Sequence, residues 1–372
     1  MRTKGLWVGT APYQPWRRFR SGREESLLVV GPTRSGKTRG IVIPAILEWD
    51  GPMVVLSVKD DVRQVTEPWR ALCGPVTTVA PGDGGYTVDL LAGTHEVETA
   101  LRVARELVIA GRGDSEFWNS LATKALAAIL CDAARRGCSV DDLMQAIARR
   151  SLPRGDDPFL DDVATSLAAM EPRTFDAVMT TVDAMVAPWA FNRDAVDVQC
   201  ALREGGTVYL CAPLSDQATY EPLFRLAVRR ALEVAHRDAP LLVVLDEAAQ
   251  LAPLHDLDRV AATASGQHLT LMTVFQDFAQ IQARFGDRAA TVVNNHRCRV
   301  VLAGLSDPAA ERFVPEITAV CESLRVAPPG RAWMMRGHDV LRDVTLHPWS
   351  WRPHLRVRGS SLTSGDDRLR PR

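Results

Sequence analysis

The sequence has few aromatic residues, no long apolar run and no closely spaced pair of cysteines. Aromatic residues make up 6% of its 372 residues, and no apolar run approaches the roughly 18 residues that a membrane-spanning helix needs. The first residues, Met1 to Trp7, lack the apolar centre of a signal peptide. These absences argue against a secreted or membrane-spanning chain and predict a soluble, cytoplasmic one.

The seven cysteines are scattered along the chain, with no C-x-x-C pair and no histidines at metal-binding spacing. In a cytoplasmic chain this pattern indicates reduced core thiols rather than disulfides or zinc ligands. The cysteines are Cys73, Cys131, Cys138, Cys200, Cys211, Cys298 and Cys321.

The charge is nearly balanced overall but unevenly distributed. The formal net charge is −1, whereas it is +4 over residues 1–25, −6 over 92–200 and +6 over 323–372. Such asymmetry suggests that different parts of the chain meet different partners, although ordinary surface variation explains it equally well. The length is sufficient for two domains of roughly 100–200 residues each.

Short apolar runs alternate with helical patterns at the start of the chain. Leu27–Val30, Met53–Leu56 and Val76–Val79 each look like a buried strand, and residues 61–72 between the last two have helical spacing. Alternating strands and helices predict a mainly parallel sheet with crossover helices, which is an α/β fold.

The pattern changes to helical spacing alone from about residue 92 and returns to strands at about residue 206. We therefore predict an inserted all-α domain of ordinary size within the α/β domain. The predicted parts are a basic N-terminal segment (1–25), the α/β domain (26–91 and 201–345), the all-α domain (92–200) and a basic, flexible tail (346–372).

Residues 31–38 match the pattern G-x-x-x-x-G-K-[ST] directly after a predicted strand. Glycines at these positions let backbone N–H groups surround phosphates at the start of the following helix. Lys37 would reach the β- and γ-phosphates, and the Thr38 hydroxyl would hold Mg²⁺. The predicted phosphate-binding residues are Gly31, Thr33, Arg34, Ser35, Gly36, Lys37 and Thr38.

Chance is a poor explanation for this match. Only four of the 44 Lys and Arg residues are lysines, and the residue frequencies give roughly two chance matches per thousand such sequences. The sequence therefore predicts binding of ATP with Mg²⁺.

Two acids end a later apolar run, Leu241–Leu245. In a P-loop enzyme Asp246 would hold the Mg²⁺ shell and Glu247 would act as general base toward the attacking water. An acidic helix start is the simpler explanation when the pair is considered alone.

Gln276 ends the run Leu269–Phe275, so its amide is expected at the carboxyl edge of the sheet, where ligands bind. There it would sense the γ-phosphate or orient water, and a simple polar strand end is an equally good explanation. Residues 57–60 end an earlier strand at the same edge, where a solvated turn is at least as good an explanation.

Together these segments resemble the conjugative coupling proteins of type IV secretion systems, of the TraG/TraD type, which are related to RecA, FtsK and HerA ATPases. The resemblance covers about residues 26–91 and 201–345 and extends to Pro44, which is expected to break or kink the helix after the phosphate loop. The stretches that carry it are 31–38 with 41–44, 57–60, Asp246-Glu247 with Leu257-Asp258, and 275–276 with Gln280 and 282–286.

The resemblance implies a RecA-like P-loop ATPase that acts as a hexameric ring and pumps single-stranded DNA. It implies phosphate and Mg²⁺ contacts for Lys37 and Thr38, the acidic pair for Asp246 and Glu247, and the sensor for Gln276. It also implies that residues 92–200 recruit the relaxosome or a protein substrate to the secretion channel. The charge of −6 there suits a basic protein partner better than DNA.

Two features depart from that family. Its members usually begin with transmembrane helices, whereas this chain enters its first predicted strand near residue 26; either a separate protein supplies the anchor or this form is soluble. We expect a cytoplasmic protein held at the inner face of the membrane through partners. Family members also tend to carry an arginine where this chain has residues 264–268, and Arg259 is the nearest substitute.

Two functions therefore remain open. The first is a DNA-transfer motor, in which basic termini containing Trp7, Trp16, Trp349 and Trp351 touch nucleic acid; core aromatics beside arginines explain these residues better. The second is an ATP-binding platform that recruits secretion substrates with little hydrolysis of its own.

Overall fold

In the computed structural model, the chain forms two compact units. One comprises Met1–Thr77, Gln199–Ser215 and Arg230–Arg372, and the other comprises Thr78–Val198 and Asp216–Arg229. The structure describes residues 5–57, 60–80, 85–108, 115–154, 157–191, 194–212, 217–235, 239–248, 254–307, 309–315, 320–337 and 341–360.

The described residues contain an eleven-stranded sheet and a separate two-stranded sheet. The large sheet has the strand order β2-β1-β13-β12-β11-β3-β10-β9-β4-β8-β5. The strands are β1 (Trp7–Ala11), β2 (Gln14–Arg20), β3 (Leu27–Val30), β4 (Met53–Leu56), β5 (Val76–Val79), β6 (Thr87–Val88), β7 (Ala195–Val196), β8 (Thr207–Leu210), β9 (Leu241–Leu245), β10 (Leu269–Phe275), β11 (Cys298–Leu302), β12 (Arg331–Arg336) and β13 (Arg342–Thr345).

The centre of the large sheet is parallel. β3 pairs in parallel with β10 and β11, β9 with β10 and β4, and β4 with β8. Every residue of β3, β4, β8, β9 and β10 is buried. Strands covered on both faces have near-continuous apolar sequences, which is why this part was predictable, and the predicted α/β fold is confirmed.

Four antiparallel strands, β12, β13, β1 and β2, extend one side of the sheet. Sequence reasoning placed no strand there and treated 1–25 as a basic segment. β2 reads QPWRRFR and is exposed over its first five residues, so it lacks the alternation of a half-buried strand. Pairing with β1, rather than side-chain burial, makes this segment a strand.

The described part of the unit with the large sheet also contains helices. They are Ile43–Glu48, Asp60–Cys73, Val198–Arg203, Leu257–Thr263, Phe278–Phe285, Ala289–Asn295, Ala309–Phe313, Cys321–Val326 and Pro353–Gly359. The core includes side chains of Ile41–Leu47 packed against those of β3, β4, β9 and β10.

The other unit is mainly helical. Its helices are Val97–Glu106, Ser115–Arg135, Val140–Ala148, Pro158–Ala168 and Pro172–Val186. It also contains the two-residue strands β6 and β7, paired in parallel at Thr87↔Ala195. The expected absence of strands before residue 206 is wrong for Ala195–Val196, because two residues carry no detectable period.

Residues 216–229 also belong to this unit, although sequence reasoning assigned them to the α/β domain. They form most of the helix Gln217–Leu232, whose Arg225 is buried. The Arg225 Nε donates to the Glu106 carbonyl at 2.6 Å, and Nη2 donates to the Val108 carbonyl at 3.0 Å. These bonds satisfy carbonyls at the end of another helix.

The segment predicted as a flexible tail is ordered as far as the structure describes it. Trp349–Trp351 is a 3₁₀ turn, and Pro353–Gly359 is a helix. The Arg358 guanidinium lies 4.4 Å from the Trp69 ring centroid and donates to the Leu47 carbonyl at 2.6 Å. Residues 361–372 lie outside the described part.

The predicted core cysteines are only partly in the core. Cys131 and Cys298 are buried, whereas Cys200 is exposed. Burial raises the pKa of the Cys298 thiol to about 12, so its reactive thiolate is disfavoured.

Among the described helices, none combines the length and apolar character needed to cross a bilayer.

His296 is a fully buried titratable group beside β10. Its Nδ1 lies 2.6 Å from the Val292 carbonyl and its Nε2 lies 2.7 Å from the Thr273 hydroxyl. Because a carbonyl only accepts, Nδ1 carries the proton and Nε2 accepts from Thr273. Burial lowers the pKa of His296 to about 4, so the neutral ring is the native form.

We predict that His296 makes stability depend on pH. Between about pH 6.5 and 4 the unfolded chain binds a proton at this site that the folded chain does not, so stability falls as pH falls, by at most about 3 kcal/mol. Thermal unfolding from pH 8 to 4 should show a shallower slope for His296→Gln than for the unchanged chain. Equal slopes would contradict the assignment, and pH 8 provides the internal control.

Candidate nucleotide-binding site

The phosphate-loop sequence forms the turn after β3. The Gly31 N–H donates to the Phe275 carbonyl at 3.2 Å, which extends the pairing of β3 with β10 into the loop. Arg34 (φ 63°) and Gly36 (φ 101°) have left-handed backbone conformations. Alternation of right- and left-handed residues turns successive N–H groups toward one point, where an anion binds.

Packing is close at two glycines, one in this loop and one in the helix that follows. A Cβ on Gly31 would lie 2.6 Å from the Leu302 Cβ, and a Cβ on Gly40 would lie 3.2 Å from the Leu346 Cβ. Side chains from β11 and from the residue after β13 therefore fix the loop and the helix that follows. The Gly330 N–H also donates to the Ser35 carbonyl at 3.3 Å.

Lys37 is folded onto its own loop. Its side-chain nitrogen donates to the Pro32 carbonyl at 2.8 Å and to the Gly31 carbonyl, and only 9% of the residue is exposed. The Ser35 Oγ is buried and has no hydrogen-bond partner among the described residues. A lysine and the backbone N–H groups of a loop before a helix are the groups that phosphate binding needs.

The helix after the loop begins with a widened turn. Thr38–Val42 is a π-helix in which the Ile43 N–H donates to the Thr38 carbonyl, and the α-helix begins at Ile43 with Pro44 in its first turn. Proline has no N–H and crowds the carbonyl four residues earlier, here that of Gly40. The π turn accommodates the expected proline break without ending the helix.

Asp246 lies at the carboxyl edge of β9 and is 5% exposed. Its N–H donates to the Leu56 carbonyl at 2.9 Å, and its Oδ2 accepts from the Ser57 hydroxyl at 3.4 Å. Glu247 follows in a left-handed conformation (φ 62°) and is half-buried. A non-glycine residue rarely adopts this conformation, which recurs at functional sites.

The sheet order brings these residues to one edge. β3 and β9 both pair with β10, so the phosphate loop and Asp246 are two strand spacings apart, about 10 Å. The Thr38 hydroxyl and the Asp246 carboxylate are oxygen donors of the kind that Mg²⁺ prefers. The sequence-predicted metal ligands thus fit this ion.

Gln276 lies directly beside the loop, because Phe275 pairs with Val30 at the ends of β10 and β3. It borders a cleft of 240 Å³. Its N–H donates to the Gln280 Oε1 at 3.0 Å, and the Gln280 N–H donates to the Asp277 Oδ1 at 2.7 Å. The cleft is lined by Pro32, Thr33, Gln276, Asp277, Gly304, Leu305, Ser306 and Asp307.

Sequence reasoning missed several residues that support this site. Asp307 accepts from the N–H groups of Phe278 and Ala279 at 2.7 and 3.0 Å, so it caps the helix after Gln276 from a distant loop. No local pattern marks Asp307, Gly330 or Leu346. Asp277 and Gln280, in contrast, have the spacing of a helix-capping box, and that signal was available.

Residues 264–268, where family members tend to carry an arginine, contain none in this chain. Ala264–Gln267 is a 3₁₀ turn in which residues 265–267 are exposed. The suggested substitute, Arg259, is 75% exposed and forms an ion pair with Asp256 at 2.6 Å. Of the segment 57–60, residues 58 and 59 lie outside the described part.

A family profile described as "Type IV secretory system Conjugative DNA transfer" matches residues 2–188, half of the chain. The chain belongs to this family. A second profile, "TraM recognition site of TraD and TraG", matches residues 240–317. Residues 31–38, Asp246 and Gln276 had indicated a resemblance to conjugative coupling proteins, and the family match confirms it.

Individual relatives agree with this placement. VirD4 of Rhizobium radiobacter is 24% identical over 338 residues, which cover 81% of this chain and 48% of VirD4. The chain thus spans about half the length of the curated relatives it matches. The unbound coupling protein TrwBΔN70 superposes with a TM-score of 0.72 at 18% identity, covering 93% of this chain and 89% of that one. TrwB in complex with ADP and Mg²⁺ gives 0.68 at 19% identity, with coverage of 88% and 86%.

We predict that Gly31→Ala destabilises the protein, because the new methyl group must displace Leu302 or the loop. Overpacking of this kind costs about 1–3 kcal/mol. Thermal unfolding measures it, with Gly266→Ala as the control, since a Cβ there meets no atom within 4 Å. Equal melting temperatures for the two variants would show that the loop is not held as described.

Proposed function

We propose that this chain is the ATP-binding and ATP-hydrolysing part of a type IV secretion coupling protein. The observation that carries the proposal is the loop after β3, with its left-handed turns and buried Lys37, at the same sheet edge as Asp246. The family assignment and the TrwB complex with ADP and Mg²⁺ support it.

Each site residue has a distinct part in the proposed chemistry. The loop amides and Lys37 bind the phosphate oxygens, and Thr38 and Asp246 hold Mg²⁺, which neutralises phosphate charge when bound. Glu247 accepts a proton from the attacking water. Gln276, held by Gln280 at its backbone, orients that water or senses the γ-phosphate.

The proposal extends to partners and assembly. We infer that six copies form a ring that moves single-stranded DNA, as the family resemblance implies. The mainly helical unit would recruit relaxosome or substrate proteins to the secretion channel, and the −6 charge of residues 92–200 favours a basic surface on them. Partner proteins would hold the ring at the inner face of the membrane.

One observation favours the second function, an ATP-binding platform with little hydrolysis. Residues 264–267 offer no guanidinium to a neighbouring subunit, and Arg259 is already paired with Asp256. Loss of an arginine that stabilises transition-state charge costs on the order of a thousandfold in turnover.

We predict that Lys37→Ala abolishes binding of ATP with Mg²⁺, because it removes the only buried cation of the described loop. Titration calorimetry on the folded protein measures this. Lys124→Ala is the matched control, since Lys124 is an exposed lysine on the helix Ser115–Arg135. Retained affinity in Lys37→Ala, or no affinity in the unchanged chain, would refute nucleotide binding at this loop.

Hydrolysis separates the motor from the platform. For the motor we expect ATPase activity that rises with protein concentration and with single-stranded DNA, and that falls at least a hundredfold in Glu247→Gln, a loss within the range for a general base. ATP affinity should be kept in this variant. Tight ATP binding without turnover, unchanged by DNA, would instead support the platform.

A further inference from the structure

The β1–β2 hairpin ends in a tip, residues 13–18, whose side chains all face solvent. These six consecutive residues are exposed, with Tyr13 at 94% and Trp16 at 74%. Because successive strand residues point to opposite faces, exposure of all six means that both faces of this part of β2 are open. This part of β2 lies at the edge of the sheet, where it pairs with β1 at Thr10↔Arg18 and Ala11↔Gln14, and it is open to solvent on both faces.

The base of the hairpin, in contrast, is anchored. Trp7 is 4% exposed and pairs with Arg20 across the two strands. The guanidinium groups of Arg352 and Arg20 lie 4.0 and 5.4 Å from its ring centroid, and both arginines bind Glu48. The arginines at the base thus have partners, which explains Trp7 as a core aromatic.

The arginines of the hairpin tip are different. Arg17 and Arg18 are exposed, and neither forms an ion pair with a carboxylate in the described part of the chain. The Arg17 guanidinium lies 5.7 Å from the Phe19 ring centroid. The hairpin tip thus combines two uncompensated positive charges with two protruding aromatic side chains.

This combination fits an anionic membrane surface. Trp and Tyr favour the headgroup level of a bilayer, where one part of the ring is apolar and the other wet, and arginines are attracted to anionic headgroups. Single-stranded DNA is bound in charged grooves. Gln14 and Arg17 border a cleft, but Tyr13 and Trp16, exposed at 94% and 74%, are not among its lining residues. Pro15 removes an N–H from this edge strand, which disfavours addition of a partner strand.

We propose that the hairpin tip binds directly to bilayers that contain anionic phospholipids. Trp16 and Tyr13 insert at the headgroup level, and Arg17 and Arg18 pair with the lipid phosphates. The contact is independent of ATP binding and hydrolysis, so it stands or falls separately from the proposed function.

Co-sedimentation of the full chain with vesicles tests this proposal. We expect binding to phosphatidylcholine vesicles that contain about 30 mol% of the anionic lipid phosphatidylglycerol. We expect no binding to vesicles of phosphatidylcholine alone. The double variant Arg17→Ser/Arg18→Ser should weaken binding about tenfold or more, and Trp16→Ala severalfold. Both variants should keep the melting temperature, because these side chains are exposed.

The controls make the same chemical changes elsewhere. Arg173→Ser/Arg203→Ser removes two exposed arginines that lack ion pairs in the described residues, and Trp351→Ala removes a tryptophan exposed at 74%. Equal losses in tip and control variants, or no binding to anionic vesicles, would overturn the proposal. So would tip variants that weaken binding of a thymidine oligonucleotide while leaving vesicle binding intact.

Discussion

The backbone junction at Gly31 is the constraint on which the candidate site depends. β3 lies between β10 and β11 and is buried on both faces, so the loop leaves the sheet from a fixed point. Leu302 fills the space that a side chain at Gly31 would need. Packing thus determines the direction of the loop before any charge acts, and pre-positioned dipoles stabilise phosphate better than mobile ones.

The antiparallel strands β12 and β13 support the phosphate loop through the residues that flank them. Gly330, the residue before β12, donates its N–H to the Ser35 carbonyl. Leu346, the residue after β13, packs against Gly40. Leu346 also donates its N–H to the Gly330 carbonyl at 2.7 Å. Two distant segments therefore join behind the loop and support its helix.

The features that could be predicted from the sequence are those marked by a local residue pattern. Buried runs such as Leu269–Phe275 predicted the parallel strands. The loop motif, Asp246 and Gln276 each follow such a run, which predicted that they lie together at the carboxyl edge of the sheet. β2 was missed because QPWRRFR has no apolar face, and Asp307 was missed because its partners are 28 and 29 residues away. Pro44 predicted a break, but only the structure shows it as a π turn.

In the proposed function, binding and turnover depend on different groups. The groups assigned to binding lie within one copy: Lys37 is buried in its own loop, and Asp246 is fixed by Leu56 and Ser57. Turnover also requires stabilisation of charge that develops only in the transition state. The exposed turn after the helix Leu257–Thr263 contributes no cation to that charge. Affinity for ATP and turnover of ATP are therefore separate properties of the proposed site.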